Sequence, residues 1–258
     1  MARQCIFCGG SPVTKEHIFA TWLSPLFPAP PGKKMFADYQ NYVKGQPPAP
    51  SKRRHTLNLD MQVKQVCESC NGGWMSDLEV AVMEVLPSIC DDSKKSITQD
   101  EQTTLANWAV KTAIMIQYTG QKPFVPLFRR KWVFEHHTPP PDTGIWIARY
   151  GGEGIATAVS RKLVIDSNSK LINRPNGQAV FFSIGSLFFV VLCLYFENVR
   201  VRVESPAPIM KHLSQIFPPK TPNILWPDKG IDDSIRASIC DINNWNFILG
   251  FHQLHQSP

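Results

Sequence analysis

Residues 66–79 read VCESCNGGWMSDLE, and residues 5–19 read CIFCGGSPVTKEHIF. Each stretch carries a pair of cysteines two residues apart: Cys5 and Cys8, Cys67 and Cys70. Two such pairs supply four soft ligands, the set that tetrahedral Zn2+ takes in closed structural sites. Gly9 and Gly10 follow the first pair, where glycine permits the backbone angles of a tight turn that presents both sulfurs. The second pair ends a strand-like stretch and opens a helix-like one. Zinc binding of this kind can contribute ~10 kcal/mol or more, enough to hold a small, loop-rich lobe together. A zinc saturated by sulfur has no open position, so any chemistry falls to other residues.

Glu16 and His17 lie shortly after the first pair, and Asn71 lies directly behind the second. One zinc would therefore tie together the two segments that carry Glu16, His17 and Asn71. A carboxylate oxygen and an amide oxygen make a sparse site of hard ligands with room for waters and a phosphate, as Mg2+ prefers.

The remaining cysteines, Cys90, Cys193 and Cys240, stand among apolar residues and read as buried free thiols. No stretch near residue 1 has the order of a secretory signal, which leads to the expectation of a cytoplasmic protein with no membrane partner. The formal charge is +6 over 258 residues, and it is uneven. Residues 1–74 hold nine Lys or Arg against four Asp or Glu. Four thiolates on one divalent zinc offset about two of those positive charges. The remaining bias suits a polyanion. Lys15, Lys33, Lys34, Lys52, Arg53 and Arg54 are the candidate phosphate contacts; solubilising charge accounts for them equally well.

The chain divides on sequence into residues 1–90 with both cysteine pairs, a helical connector at 91–120, and a mixed α/β part at 121–258. Residues 25–56, with seven prolines and two glycines, read as a loop. Alternating Leu57, Leu59, Met61 and Val63 predict a strand over 57–66, and apolar residues four apart predict a helix over 73–89. Thr98 and Glu101 form a capping-box pattern. It opens a helix whose apolar face is Leu105, Trp108, Ala109, Thr112, Ala113 and Ile116 and which Gly120 would end. GIWIARY, IATAVSRKLVID and the apolar run 179–196 predict strands of a mainly antiparallel sheet. Ser183, Gly185 and Ser186 interrupt that run and favour a hairpin over a membrane span. The triplet Glu135-His136-His137 reads as a polar loop.

Cys-x-x-Cys, Glu-His-Ile and Cys-x-x-Cys-Asn together resemble the HNH, or ββα-metal (His-Me finger, treble-clef), endonuclease superfamily, and most closely its four-cysteine zinc-containing branch. TKEHIF, CNGGWMSDLE and LANWAVKTA are also similar to a group of bacterial HNH-type proteins of like length. The resemblance implies an α+β fold: an N-terminal zinc-bound ββα module, then helices, then a mainly antiparallel C-terminal sheet domain for target or partner recognition. It also implies roles. His17 would be the general base that activates water against a phosphodiester, and Glu16 and Asn71 would hold one Mg2+ or Mn2+. The family usually has Asp where Glu16 stands, and Asn71 stands where its last His is found. Asn58 is the candidate for its middle Asn. Glu79, two helical turns beyond Asn71, is a candidate further ligand or a solvated helix residue. The implied activity is metal-dependent hydrolysis of nucleic acid, DNA before RNA, with a companion protein or a second copy as a further partner. Bacterial proteins of this type often serve in antiviral defence. The rival expectation is a zinc-stabilised nucleic-acid- or protein-binding module without chemistry.

Overall fold

In the computed structural model the described residues are 3–28, 35–43, 52–56, 59–119, 125–152, 156–164, 177–194, 200–204, 209, 211–227, 230–241 and 244–250. In chain order the N-terminal elements are β1 (Val13–His17), α1 (Leu23–Leu26), β2 (Met35–Val43), β3 (Lys52–Thr56), β4 (Gln62–Cys67) and α2 (Glu68–Cys70). A π-helical turn, Asn71–Met75, then leads into α3 (Ser76–Met83), α4 (Leu86–Cys90), β5 (Ser96–Thr98), α5 (Gln99–Gln117) and α6 (Leu127–His136). The C-terminal part runs β6 (Thr143–Tyr150), β7 (Ala156–Val164), β8 (Gly177–Ile184), β9 (Leu187–Leu194) and β10 (Arg200–Glu204). It ends with β11 (Ser214–Phe217), β12 (Asn223–Leu225), β13 (Gly230–Ile231), α7 (Asp233–Cys240) and β14 (Asn246–Gly250). The chain is α+β.

The main sheet has eight strands in the order β11-β6-β9-β8-β7-β2-β3, with β13 pairing on β6. Its pairings are antiparallel except for β2 with β7 and β13 with β6. Up to Leu194 the apolar run is the β8–β9 hairpin, turned at Gly185 with φ +53°. Its unbroken apolarity has a simple cause: both faces of the sheet are covered. Val180, Phe182, Phe189 and Val191 face one core with α5, whereas Phe181, Phe188, Val190 and Leu192 face another with Ile239 and Trp245. Strands buried on both sides lose the in–out alternation. Among the described residues no helix is long and apolar enough to cross a membrane.

α5 is the central strut. Thr98 and Glu101 form the expected capping box, the Glu101 amide donating to Thr98 Oγ1 and the Thr98 amide to Glu101 Oε2 at 2.8 Å. All six residues of the expected apolar face are buried. Trp108 meets Phe182 and Phe189 at ring distances of 5.9 and 5.6 Å, so the helix is locked to the sheet by aromatic contact.

Three expectations are corrected. Residues 25–56 are not one loop: β2 and β3 form an antiparallel pair, and β2 joins β7 in parallel. The helix expected over 73–89 is divided: the chain kinks at Gly73, φ −100° and ψ −120°, and α3 stops at Met83 before α4 begins at Leu86. Glu135 and His136 are not in a loop but end α6, with His136 stacked on Trp132 at 3.9 Å and His137 as its left-handed cap, φ 52°. Of the strand expected over 57–66, β4 holds only the part from Gln62 onward; Leu59 and Met61 precede it and are buried like Val63, and Leu57 lies outside the described residues. Gly120, Asn58, Lys33 and Lys34 lie outside the described residues.

Candidate metal centre and the carboxylates beside it

The two cysteine pairs converge. The ligand atoms of Cys5, Cys8, Cys67 and Cys70 all lie within 4.8 Å of one another, and Cys8 Sγ is 3.4 Å from Cys67 Sγ. Four sulfurs about 2.3 Å from a tetrahedral zinc would be about 3.8 Å apart, so the set fits that ion. The local sequence explains the convergence. Gly9 adopts φ +81°, open to glycine without strain. A Cβ on Gly10 would lie 3.2 Å from Cys8 Sγ and 3.6 Å from Cys67 Sγ, so a side chain there would crowd the first of these sulfurs. The Gly10 amide donates to Cys8 Sγ at 3.3 Å. β1 and β4 then pair antiparallel, Val13 opposite Cys67, which carries the second pair back onto the first. Phe7 packs edge-on against Trp74 at 5.2 Å. From α6, Arg130 donates to the Ile6 carbonyl at 2.7 Å and pins the knuckle from outside.

Burial pushes the Cys8 and Cys70 thiols up. At Cys5 burial also acts upward, but backbone N–H groups of Cys67, Cys8 and Phe7 outweigh it and bring the thiol down to about 7. Zinc takes all four as thiolates and displaces their protons, so its retention weakens as pH falls. Among the described residues this is the one group of three or more His, Cys, Asp and Glu side chains arranged for a metal. Cys240 is buried, and Cys90 and Cys193 are half-buried.

Glu16 lies on β1 opposite Val63, on the side of the hairpin turned toward α3 and α5. Burial raises its carboxyl above the ordinary range, and Glu79 adds to the rise; Lys111, His17 and a hydrogen bond from the Asn71 side chain oppose it. Glu16 and Asn71 are therefore neighbours, brought from either side of the cysteine cluster. His17, the next residue along β1, makes different contacts: its Nε2 lies 2.9 Å from Asp60 Oδ1 and 2.7 Å from Gln62 Nε2.

Glu79 has three donors. Trp22 Nε1 reaches its Oε2 at 3.1 Å, while Trp108 Nε1 at 2.9 Å and Lys111 Nζ at 2.5 Å reach Oε1. Lys111 is fully buried at the middle of α5. An ammonium with no access to water needs a carboxylate, and this one joins the segment after β1, α3 and α5 at a single point. The sequence reading did not single out Trp22, Asp60, Gln62 or Lys111. For Lys111 the signal was present: a lysine three residues after Trp108, inside an apolar helix. Lys15 is exposed on β1, and Lys52, Arg53 and Arg54 lie on β3, the outer strand of the main sheet.

Compared with protein-family models, curated proteins and solved structures, the chain matches none.

Three outcomes follow from this geometry. Purified protein should carry one zinc per chain by elemental analysis, and Cys67→Ser should lose it together with soluble yield. Lys111→Met should cost roughly 3–5 kcal/mol in urea unfolding, because it strands a carboxylate. Lys111→Met combined with Glu79→Leu should cost less than the two single losses added; strict additivity would show that they do not act as a pair. A raised Glu16 pKa means the folded state keeps that proton to higher pH than the unfolded chain does. Its stabilising effect is complete at low pH and is lost as pH climbs through the ordinary carboxylate range to the raised value. Glu16→Gln should accordingly raise the Tm of zinc-loaded protein near neutral pH without added Mg2+, with the gain vanishing below about pH 4.

Proposed function

We propose that the chain is a divalent-metal-dependent endonuclease of HNH type that hydrolyses phosphodiester bonds, in DNA before RNA. The observation that carries this reading is the meeting of Glu16 and Asn71. Residues 55 positions apart in the chain come near one another because a knuckle, a pair of antiparallel strands and a helix start are gathered at four cysteines. That order of elements is the one expected of a zinc-bound ββα module, and His17 stands next to Glu16 on β1.

In this reading Glu16 and Asn71 hold the divalent ion, which when bound supplies charge neutralisation at the phosphate. His17 takes a proton from the attacking water. The zinc contributes position alone, since all four of its ligands would be sulfur. Lys15 on the same strand, and the basic residues of 33–54, supply phosphate attraction that carries no sequence information. The other reading, a zinc-stabilised binding module without chemistry, draws on Glu79. Its carboxylate is already filled by Trp22, Trp108 and Lys111, which leaves a sparse pair of ligands for a second cation.

Supercoiled plasmid incubated with Mg2+ or Mn2+ separates the two. Wild-type protein should relax and linearise it, and His17→Ala, with its zinc retained, should be slower by roughly 10^2-fold or more. Equal rates in the two proteins would favour the binding module.

A further inference from the structure

His17 closes β1 and sits directly across the hairpin from Gln62, the first residue of β4. Side chains opposite one another in an antiparallel pair share a face, and Asp60, two residues before Gln62, reaches the same imidazole. Three atoms form a triangle: His17 Nε2 to Asp60 Oδ1 at 2.9 Å, Gln62 Nε2 to the same oxygen at 3.1 Å, and the two nitrogens 2.7 Å apart. A ring nitrogen carries either a proton or a lone pair, so it cannot serve Asp60 and Gln62 in opposite senses at once. Beside a carboxylate oxygen it carries the proton, Oδ1 then accepts from both nitrogens, and the 2.7 Å between the nitrogens is an approach of two donors and not a hydrogen bond. Nδ1 is left with the lone pair.

We propose that Asp60, braced by Gln62, is the positioning residue of His17: it holds the imidazole as the Nε2–H tautomer and makes Nδ1 the atom that accepts the proton of the attacking water. The inference rests on the nuclease reading. The water O–H bond breaks as the Nδ1–H bond forms, and the new P–O bond displaces the 3′ oxygen, which takes a proton from solvent. The imidazolium so formed stays beside Asp60 until its proton leaves to solvent. The Asp60 side chain is 69% exposed, so screening moderates its pull on the ring and orientation is its main contribution.

Two measurements test this. The first is independent of turnover: 15N spectra of the His17 ring near pH 8 should show Nε2–H in wild type and a tautomer mixture in Asp60→Ala. The second is plasmid cleavage. Asp60→Ala should lower kcat about tenfold or more with KM little changed, short of the roughly 10^2–10^4-fold a general base contributes. Asp60→Asn, which keeps an acceptor oxygen, should recover part of the rate. In a His17→Ala background, Asp60→Ala should cause no further loss, since a residue that acts through His17 has nothing left to act on. An unchanged tautomer, or losses that multiply in the double variant, overturns the inference while leaving the nuclease reading intact. A wild-type cleavage rate in His17→Ala overturns both.

Discussion

Four sulfurs placed to share one metal ion bring together two pieces of chain that local sequence would leave apart. Between Cys8 and Cys67 lie 58 residues, and closing a segment of that length costs chain entropy that the short β1–β4 strand pair alone does little to offset. The cysteine cluster supplies the missing constraint. The surroundings let the sulfurs approach: a left-handed Gly9, a Gly10 where a side chain would be crowded, an antiparallel strand pair in register, and a helix that begins at the second pair. The same constraint sets Glu16 against Asn71, because each is a near neighbour in sequence of one half of the cluster.

A second joint fastens this lobe to the rest of the molecule. Glu79 receives two indoles and one ammonium from segments on either side of it, and Lys111 lies at the centre of the helix that packs on the main sheet. A buried ion pair is weak evidence for stability in itself, since its desolvation cost is large. Its effect here is geometric: the lysine has one low-energy place to be, and that place fixes α5 against α3. Because Lys111 also lies close enough to Glu16 to draw its carboxyl down, the sheet side of the protein contributes to the electrostatics of the proposed site.

Much of this was legible before any coordinates. Cysteine spacing announced a four-sulfur cluster that could hold a metal such as zinc, because two C-x-x-C pairs leave few other uses for the thiols. The capping box at Thr98 and the interruption at Ser183, Gly185 and Ser186 are local signals, and local signals map onto local structure. What escaped was non-local. β2 finds its partner in β7, more than 100 residues later, and no pattern within 35–43 announces a parallel neighbour at that distance. Lys111 stood out only as a lysine inside an apolar helix; such a lysine usually extends its head to water, and nothing in the helix says that Glu79 waits on another one. Asp60 and Gln62 needed the hairpin register before they could be placed beside His17.

The proposed chemistry therefore depends on a structural proposition: that one metal is held by Cys5, Cys8, Cys67 and Cys70 together. X-ray absorption at the zinc edge of purified protein reads that directly. The account predicts a single shell of four sulfurs at about 2.3 Å. A shell containing nitrogen or oxygen, or fewer than four sulfurs, would show that the two pairs do not share an ion, and the juxtaposition of Glu16 and Asn71 would lose its cause.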